Sequence, residues 1–259
     1  MPSNKKIRMM KHYVDEAEKW GASSASTMED EITRQRETDM ILEFMRRDSG
    51  RKVLDLGCGN GYTLVVLSQM LPNKQYVGID TSKELIDIAK KRKIDCHFMV
   101  GDACELKDIA DKYFDLVYTQ RCLINILSWE DKLKALNEIH RVLKPNGFYL
   151  MIECFTDGLE NQNKARVECG LPELKPAYHN EYFDKRELFN SVEKKFYILE
   201  PWWSCSNFLS SHYFVTRVLH PLVTKGEQIK NTEFVKFFSY LPPMGNYSQI
   251  QAYVFRREC

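Results

Sequence analysis

The sequence predicts an α/β fold, in which a mostly parallel sheet carries helices on both of its faces. Short apolar runs of strand length alternate with helical patterns between residues 52 and 153. A turn with three glycines follows the first of these runs, and a helical pattern begins directly after it. Alternation of this kind indicates that crossover helices join successive parallel strands and cover the sheet on both sides.

The order of the predicted elements follows that alternation. Strands are predicted at residues 52–56, 76–80, 96–100, 114–119 and 148–153, and helices at 62–70, 82–92 and 129–143. The sequence Lys144-Pro145-Asn146-Gly147 is typical of a turn and precedes the fifth strand. Further along the chain we expect a helix at 184–192 and strands at 196–199 and 248–255.

Three segments fall outside this pattern. Residues 1–50 are predicted to be helical, with Thr27 as a cap, Ile41 and Met45 on an apolar stripe, and a stop at Gly50. We expect them to form a lid on a domain of residues 51–259. Two further lid insertions are predicted within that domain, an irregular one at about 154–183 and an aromatic-rich one at about 201–245.

The composition limits the possible functions. With 37 basic and 36 acidic residues the net charge is +1, which counts against nucleic acid as a partner because such proteins usually carry a basic excess. The eight cysteines form no Cys-x-x-Cys pair, so we expect reduced thiols and no metal site. The N-terminus lacks the apolar core of a signal peptide, and no stretch approaches the ~20 apolar residues that span a bilayer. These features predict a soluble, cytoplasmic protein.

The sharpest functional signal is the run Val53-Leu54-Asp55-Leu56-Gly57-Cys58-Gly59-Asn60-Gly61. An apolar strand passes here into a turn whose glycines permit positive φ and let the backbone approach a ligand closely. The next predicted strand ends on Asp80, 23 residues after Gly57. A carboxylate at that place is suited to accept both hydroxyls of an adenosine ribose.

The glycine spacing separates two kinds of nucleotide cofactor. A dinucleotide fingerprint reads Gly-x-Gly-x-x-Gly and leaves room for a pyrophosphate at a helix N-terminus. Here the third glycine, Gly61, comes one residue early, and Tyr62 occupies the expected place. Asp55 would repel a pyrophosphate and suits a cationic sulfonium and an ammonium group instead. The spacing therefore disfavours an NAD-linked dehydrogenase.

Over roughly residues 50–155 the sequence resembles class I S-adenosylmethionine-dependent methyltransferases. Asp55–Gly61 looks like the first motif of that family, Asp80 like its ribose-binding acid, and Val100-Gly101-Asp102-Ala103 like the motif whose Asp binds the adenine amino group. Asp115–Gln120 is similar to the family's fourth strand, and Leu143–Gly147 to the turn before its fifth. The resemblance implies S-adenosylmethionine as cofactor and a Rossmann-like, seven-stranded sheet that ends in an antiparallel hairpin. The cofactor-binding residues that it implies are Asp55, Gly57, Cys58, Gly59, Asn60, Gly61, Asp80, Thr81, Asp102, Ala103 and Gln120.

The acceptor is expected to be a small molecule. Enzymes that methylate the amino groups of nucleic-acid bases often carry Asn/Asp-Pro-Pro-Tyr after the fourth strand, where this chain has Thr119–Cys122. The clustered acids of metal-dependent, catechol-type enzymes are also missing. Gln120–Asn125 and His179–Phe183 resemble segments of bacterial methyltransferases found near sugar and surface-polysaccharide modification genes.

Candidate acceptor-site residues lie in the loops outside the sheet. His179 is the predicted general base, since an unperturbed pKa of about 6.5 suits proton removal at neutral pH, and Glu153 is the alternative. Guanidinium groups match phosphate and carboxylate in a two-pronged way, so they predict an anionic acceptor, such as a sugar phosphate or nucleotide-linked sugar, methylated on a hydroxyl or amine. The predicted substrate-binding residues are Arg121, Asn125, Arg166, Asn180 and Tyr182.

Two other functions remain compatible with the sequence. One is an RNA or protein methyltransferase that uses the same cofactor. The other is a protein of this fold that binds the cofactor without catalysis, because a fold does not fix a function. Turnover of an acceptor distinguishes an enzyme from the second of these.

Overall fold

A single mixed sheet organises the chain in the computed structural model, which describes residues 11, 14–15, 17–23, 28–199, 206–224 and 232–258. Within these residues seven strands pair in the order β3-β2-β1-β4-β5-β7-β6. Strands β1 to β5 are parallel, and β7 lies antiparallel between β5 and β6. The strands are β1 (Lys52–Leu56), β2 (Gln75–Asp80), β3 (Cys96–Val100), β4 (Phe114–Gln120), β5 (Leu143–Cys154), β6 (Phe196–Ile198) and β7 (Ile250–Arg257). The predicted fold class is confirmed.

Helices join the parallel strands as the alternation predicts. The helices are α1 (Glu31–Arg47), α2 (Tyr62–Met70), α3 (Lys83–Lys90), α4 (Trp129–Val142), α5 (Thr156–Glu168), α6 (Lys185–Val192), α7 (Ser210–Phe214), α8 (His220–Val223) and α9 (Glu233–Ser239). A 3₁₀ turn covers Leu123–Asn125, and a π-helical turn covers Val215–Leu219. Ser82 and Ser128 cap α3 and α4, because each hydroxyl accepts a backbone N–H of the first turn.

The core lies on both faces of the central strands. Consecutive residues of β1, from Val53 to Leu56, are all buried, although neighbouring side chains of a strand point to opposite faces. Both faces of β1 are therefore covered, as in other parallel sheets. In β5, which β4 separates from β1, the same holds for residues 149–154. Strands that are buried on both faces appear in the sequence as continuous apolar runs, because no side chain alternates toward solvent.

The predicted turn before β5 is present as an interruption of the strand ladder. Phe114 pairs with Leu143 and Leu116 with Phe148, so four residues of β5 stand opposite one residue of β4. Asn146 in this excursion has a φ of 63°, the left-handed conformation that asparagine tolerates well. The structure thus has an irregularity within one continuous strand at the place where the sequence predicts a turn that precedes the strand.

The prediction of an irregular insertion at 154–183 is wrong for its first half, which forms α5. Its start carries no side-chain cap, and Gly158 in its first turn disfavours a helix on propensity. The glycine is required by packing: a Cβ at this position would lie 1.9 Å from the carbonyl oxygen of Ser248. Close contact with the segment before β7 thus explains a residue that the sequence presents as a helix breaker.

The N-terminal region is anchored on the second insertion. Asp30 caps α1 by accepting the N–H of Thr33 at 3.0 Å, whereas the predicted cap, Thr27, lies outside the described residues. The second oxygen of Asp30 lies 3.3 Å from Nε2 of the buried His212 in α7. Arg36 of α1 donates to the carbonyl oxygen of Phe208 at 2.7 Å. Helices α7 to α9 and the π-helical turn form most of the described part of this insertion. No helix among the described residues has the length and apolar character needed to cross a membrane.

Candidate functional site

A cavity of 770 Å³ opens at the carboxyl ends of β1, β2 and β4. Open parallel sheets bind their ligands at this edge, and the volume lies within the range of small-molecule sites. Val14 and Arg34 of the N-terminal region form part of its wall. The sequence-predicted residues on the wall are Asp55, Gly57, Cys58, Gly59, Asn60, Asp80, Thr81, Asp102, Ala103, Gln120, Arg121 and Asn125.

The glycine turn between β1 and α2 is shaped by its close neighbours. Gly57 and Gly61 have φ values of 86° and 73°, which side chains rarely adopt. A Cβ on Gly57 would lie 2.4 Å from Sγ of Cys122, and one on Gly61 would lie 2.9 Å from the ring of Phe98. The N–H of Gly57 also donates to the carbonyl of Ile79 in β2 at 2.7 Å. Gly61 is the N-cap residue of α2 and does not line the cavity, so its role is to shape the turn.

Asp80 organises the turn from the end of β2. One carboxylate oxygen accepts the N–H of Gly59 at 2.8 Å, and the other accepts the N–H of Ser82 at 2.9 Å. Burial raises the pKa of Asp80, while these backbone N–H groups act in the opposite direction. A carboxylate has about four acceptor positions, so each oxygen keeps capacity for a hydroxyl in the cavity.

Asp55 places a second buried carboxylate beside the first. Its side chain accepts the hydroxyl of Tyr118 at 2.6 Å. Burial raises the pKa of Asp55 to about 7; the Tyr118 hydrogen bond opposes that rise and the charge of Asp80 adds to it. Two like charges under one cavity wall favour a cationic ligand above them.

The far side of the cavity combines apolar surface with acidic residues, of which Asp102 is the one predicted from the sequence. Oδ1 of Asp102 accepts the N–H of Cys104 at 2.9 Å, which leaves Oδ2 as an acceptor. Leu85, Val100 and Leu127 line the same cavity. A flat apolar ring with a hydrogen-bond donor at its edge fits this arrangement.

Asn60 holds a piece of the N-terminal region onto the glycine turn. Its Nδ2 donates to the carbonyl oxygens of Gly21 and Ser23, both at 2.9 Å. Arg92 donates to the carbonyl of Asn60 at 2.6 Å and to that of Ala22 at 2.8 Å. The predicted cofactor residue Asn60 therefore also fixes residues 21–23 at the cavity rim.

A charged network lies at the end of β4. Nε2 of Gln120 donates to Oε2 of Glu37 at 2.6 Å, and Nε of Arg121 donates to Oε1 of the same carboxylate at 2.9 Å. Glu37 is fully buried, and the side chain of Arg121 is 13% exposed. Burial, and then the charge of Arg121, lower the pKa of Arg34 to about 10. The guanidinium groups of Arg34 and Arg121 thus both lie near the single carboxylate of Glu37.

The loop after β4 is fixed by Glu153. Its carboxylate accepts the N–H groups of Cys122, Leu123 and Ile124 at 3.0, 3.0 and 3.2 Å. Within this loop, Nδ2 of Asn125 donates to the carbonyl of Arg121 at 3.1 Å, while its Oδ1 is buried and has no hydrogen-bond partner. The contacts of Glu153 are those of a structural cap, and it does not line the cavity.

The remaining acceptor-site predictions do not fall on the cavity wall. His179, Asn180 and Tyr182 belong to a segment that packs on the 3₁₀ turn, where the N–H of Glu181 donates to the carbonyl of Ile124 at 2.7 Å. Arg166 is 3% exposed, and its guanidinium donates to the carbonyl oxygens of Pro172, at 2.7 Å, and Arg217. Arg166 thus joins the segment after α5 to the π-helical turn, and it does not lie on the cavity wall where it could clamp an anion.

Sequence reasoning missed Arg34 and Glu37, which the structure brings to the end of β4. A signal was present in their spacing. Glu37 stands four residues before Ile41, which is itself four residues before Met45, and Arg34 stands three residues before Glu37. Residues at these intervals share one helix face, so two charges lie on the apolar stripe of α1. Charges in such a position need buried partners, and that requirement indicates a site.

Comparison with known proteins connects this geometry to a family. Residues 47–197, more than half of the chain, match the family model described as a methyltransferase domain. A demethylmenaquinone methyltransferase of Thermotoga maritima is 33% identical over 120 residues, which are 46% of this chain and 49% of that protein. An uncharacterized methyltransferase of Schizosaccharomyces pombe is 34% identical over 119 residues, 42% of this chain and 41% of that protein. The chain thus spans about half the length of the curated relatives it matches.

Solved structures share the fold over nearly the whole chain. A chain of the complex between the Haloferax volcanii Trm112 methyltransferase activator and a putative methyltransferase superposes with a TM-score of 0.60 at 19% identity, covering 95% of this chain and 97% of that one. The plantazolicin methyltransferase BpumL, in complex with S-adenosylhomocysteine and a pentazolic desmethylPZN analogue, gives a TM-score of 0.56 at 15% identity, and the match covers 100% of both chains. At these identities the likeness concerns the fold.

Proposed function

Because the chain belongs to the class I S-adenosylmethionine-dependent methyltransferase family, we propose that it transfers a methyl group to a hydroxyl or amine of an anionic small molecule, such as a sugar phosphate or nucleotide-linked sugar. One observation carries the anionic part of the proposal. Arg34 and Arg121 both line the cavity, and Glu37 is the carboxylate that faces them. Nη2 of Arg34 also donates to the carbonyl oxygen of Met28 at 3.1 Å, and unlike Arg166, Arg34 belongs to the cavity wall. This end of the cavity therefore carries a net positive charge suited to a phosphate or carboxylate.

The residues of the cavity fit S-adenosylmethionine. The like charges of Asp55 and Asp80, close enough for one to raise the pKa of the other, suit a cationic sulfonium and ammonium group. Both oxygens of Asp80 retain acceptor capacity for ribose hydroxyls, and Oδ2 of Asp102 does so for an adenine amino group. When bound, this cofactor supplies an electrophilic methyl group on a positively charged sulfur.

We propose that the chain contributes mainly by orienting the acceptor. Arg34 and Arg121 would bind its anionic group, and the unpartnered Oδ1 of Asn125 would accept a hydrogen bond from its hydroxyl or amine. Holding the reacting atoms in line is worth up to about 7–11 kcal/mol of the barrier. No histidine lies on the described part of the cavity wall, and the assignment of a base to His179 or Glu153 stays a prediction.

A second candidate acceptor is a quinol or another phenol. It is favoured by the names of the curated relatives from Thermotoga maritima and Staphylococcus species, which are demethylmenaquinone methyltransferases. Val14, Ile126 and Leu127 give the cavity apolar wall that would suit a ring. A phenolic hydroxyl is also more acidic than a sugar hydroxyl and needs less help from a base.

The test is a screen for methyl transfer, in which sugar phosphates, nucleotide sugars, small carboxylic acids and quinols are incubated with S-adenosylmethionine and read by mass. For the acceptor found, we expect Arg34→Gln and Arg121→Gln each to raise KM by about 10–150-fold, the scale of a lost hydrogen bond to a charged group. The matched control is Arg46→Gln, on the exposed end of α1, which should leave KM unchanged.

Each outcome of this screen has a defined meaning. Turnover of a neutral acceptor, with KM unaffected in both variants, would exclude an anionic acceptor and favour the quinol. If Arg34→Gln weakens S-adenosylhomocysteine binding and leaves the acceptor KM unchanged, Arg34 serves the carboxylate of the cofactor. Arg121 would then be the acceptor's only guanidinium among the described residues of the wall.

Cofactor affinity is expected to depend on pH through Asp55. Its pKa of about 7 in the folded chain lies far above the ordinary value, so below pH 7 the carboxyl must lose a proton to attract a cation. Affinity for S-adenosylmethionine should rise by at most about tenfold per pH unit from pH 5 to 7, and level off above that. Calorimetry in buffers of different ionisation enthalpy measures the released proton. Asp55→Asn should flatten this profile; an unchanged slope in the variant would assign the titration to another group.

A further inference from the structure

Glu37 holds the side chains of Gln120, the last residue of β4, and of Arg121, which follows it. Its carboxylate has no solvent exposure and accepts Nε2 of Gln120 at 2.6 Å and Nε of Arg121 at 2.9 Å. The two acceptor oxygens thus serve two neighbouring residues of one strand end. Glu37 itself is not on the cavity wall, whereas Gln120 and Arg121 are.

The Gln120 amide is fixed at both of its ends. Its Oε1 accepts the hydroxyl of Thr63 at 2.9 Å, and its Nε2 donates to Glu37. A carboxylate only accepts hydrogen bonds, so the nitrogen of the amide must face Glu37 and the oxygen must face Thr63. One N–H of Gln120 remains for a ligand in the cavity that its side chain lines.

Arg121 needs a similar restraint. Its φ is 54°, a left-handed conformation that is unfavourable for a residue with a long side chain. Two hydrogen bonds hold the backbone there. The N–H of Arg121 donates to the carbonyl oxygen of Ile152 at 2.7 Å, and Nδ2 of Asn125 donates to the carbonyl oxygen of Arg121 at 3.1 Å. Glu37 holds the side chain, because it accepts the N–H of Nε next to the guanidinium carbon.

We propose that Glu37 is a positioning residue that orients the Gln120 amide toward the cofactor and the Arg121 guanidinium toward the acceptor. The part that concerns the acceptor rests on the proposed function, and the part that concerns the cofactor does not. Because α1 supplies Glu37, the N-terminal helix is part of the catalytic unit and not only a cover. A carboxylate is required at this position, because each of its two oxygens accepts one N–H donor. An amide has a single oxygen, and its NH₂ group would face a second donor.

The test uses the full chain and two readouts. Glu37→Gln should weaken the binding of S-adenosylhomocysteine about fivefold, measured by calorimetry, because one hydrogen bond that orients Gln120 is lost. The control is Glu43→Gln on the same helix, whose partner is the exposed Arg47, and it should leave the affinity unchanged. Thermal unfolding shows whether each variant is folded. Should Glu37→Gln fail to fold, Glu37→Asp keeps the charge while shortening its reach, and the same loss is expected.

A double-mutant cycle separates positioning from general destabilisation. If Glu37 acts on the cofactor through Gln120, adding Glu37→Gln to Gln120→Ala should change the Kd of S-adenosylhomocysteine less than about twofold. Additive effects of the two substitutions, or an unchanged Kd in a folded Glu37→Gln or Glu37→Asp variant, would overturn the proposal. This result does not depend on any acceptor, so failure of the anionic-acceptor proposal leaves it intact.

Discussion

Replacing Asp80 with alanine is expected to weaken the binding of S-adenosylhomocysteine about 5–150-fold, or roughly 1–3 kcal/mol, the scale for leaving a buried hydrogen-bonding group without its partner. The substitution removes the acceptor for the ribose hydroxyls. It also removes the acceptor for the N–H groups of Gly59 and Ser82, which lie 2.8 and 2.9 Å from the carboxylate. The glycine turn then loses its contact with the end of β2. Isothermal titration calorimetry gives the affinity directly.

The control for this variant is Asp87→Asn, a carboxylate on α3 that pairs with Lys83 at the surface. It should bind S-adenosylhomocysteine as the unmodified chain does. NAD serves as a control ligand and should leave the melting temperature unchanged, because only a ligand of the folded state stabilises it. Normal affinity in Asp80→Ala would remove Asp80 from the ribose site. Stabilisation by NAD would contradict the assignment of the cofactor.

The parts of this molecule that the sequence predicts well are those encoded locally. The burial of β1 on both faces shows in the run Val53–Leu56, and the left-handed turn shows in the glycines that follow it. Asp80 and Asp102 can be assigned to one edge of the sheet from the sequence. Asp80 ends β2, Asp102 comes two residues after β3, and the carboxyl ends of parallel strands meet at the same edge. In all of these cases one short segment contains the whole physical reason for the structure.

Contacts between distant segments set the limit of such reasoning. Helix α5 begins without a side-chain cap and contains a glycine that only the nearby carbonyl of Ser248 explains. Arg166 looks like an anion clamp in the sequence, yet backbone carbonyls from 6 and 51 residues away occupy its guanidinium. Glu37 reaches Gln120 across 83 residues of sequence. No local pattern gives the partner in these pairs, although a charge on an apolar stripe shows that a partner is needed.

The acceptor side is therefore where the sequence was least informative. Arg121 and Asn125 lie on the cavity wall because they belong to the short loop after β4, whereas His179, Asn180 and Tyr182 depend on how a long connection folds back. The substrate-binding role of all five residues stays a prediction. The division into a lid of residues 1–50 and a domain with insertions at 154–183 and 201–245 stays a prediction. The hydrogen bonds from Asn60 to Gly21 and Ser23 are consistent with the lid, because they join the N-terminal region to the glycine turn.

The largest effect on stability is expected from Glu153→Ala. The carboxylate of Glu153 is fully buried and accepts three backbone N–H groups from residues 122–124. Alanine leaves these three N–H groups without an acceptor. Two of them belong to Leu123 and Ile124, which are buried residues. We expect the free energy of unfolding to fall by about 3–5 kcal/mol, the scale for removing one partner from a buried charged network. Urea denaturation followed by circular dichroism measures the change.

Two companion variants make this result specific to the capping role of Glu153. Glu153→Gln keeps one acceptor oxygen and should lose less stability than alanine, while Glu160→Ala, an exposed carboxylate on α5, should change it by no more than about 0.5 kcal/mol. Because the loop that Glu153 holds carries Arg121 and Asn125, a folded Glu153→Gln variant should show a raised acceptor KM more than a lowered kcat. Full stability in Glu153→Ala together with a loss of kcat would be the opposite pattern, and it would restore Glu153 as the general base that removes the acceptor's proton.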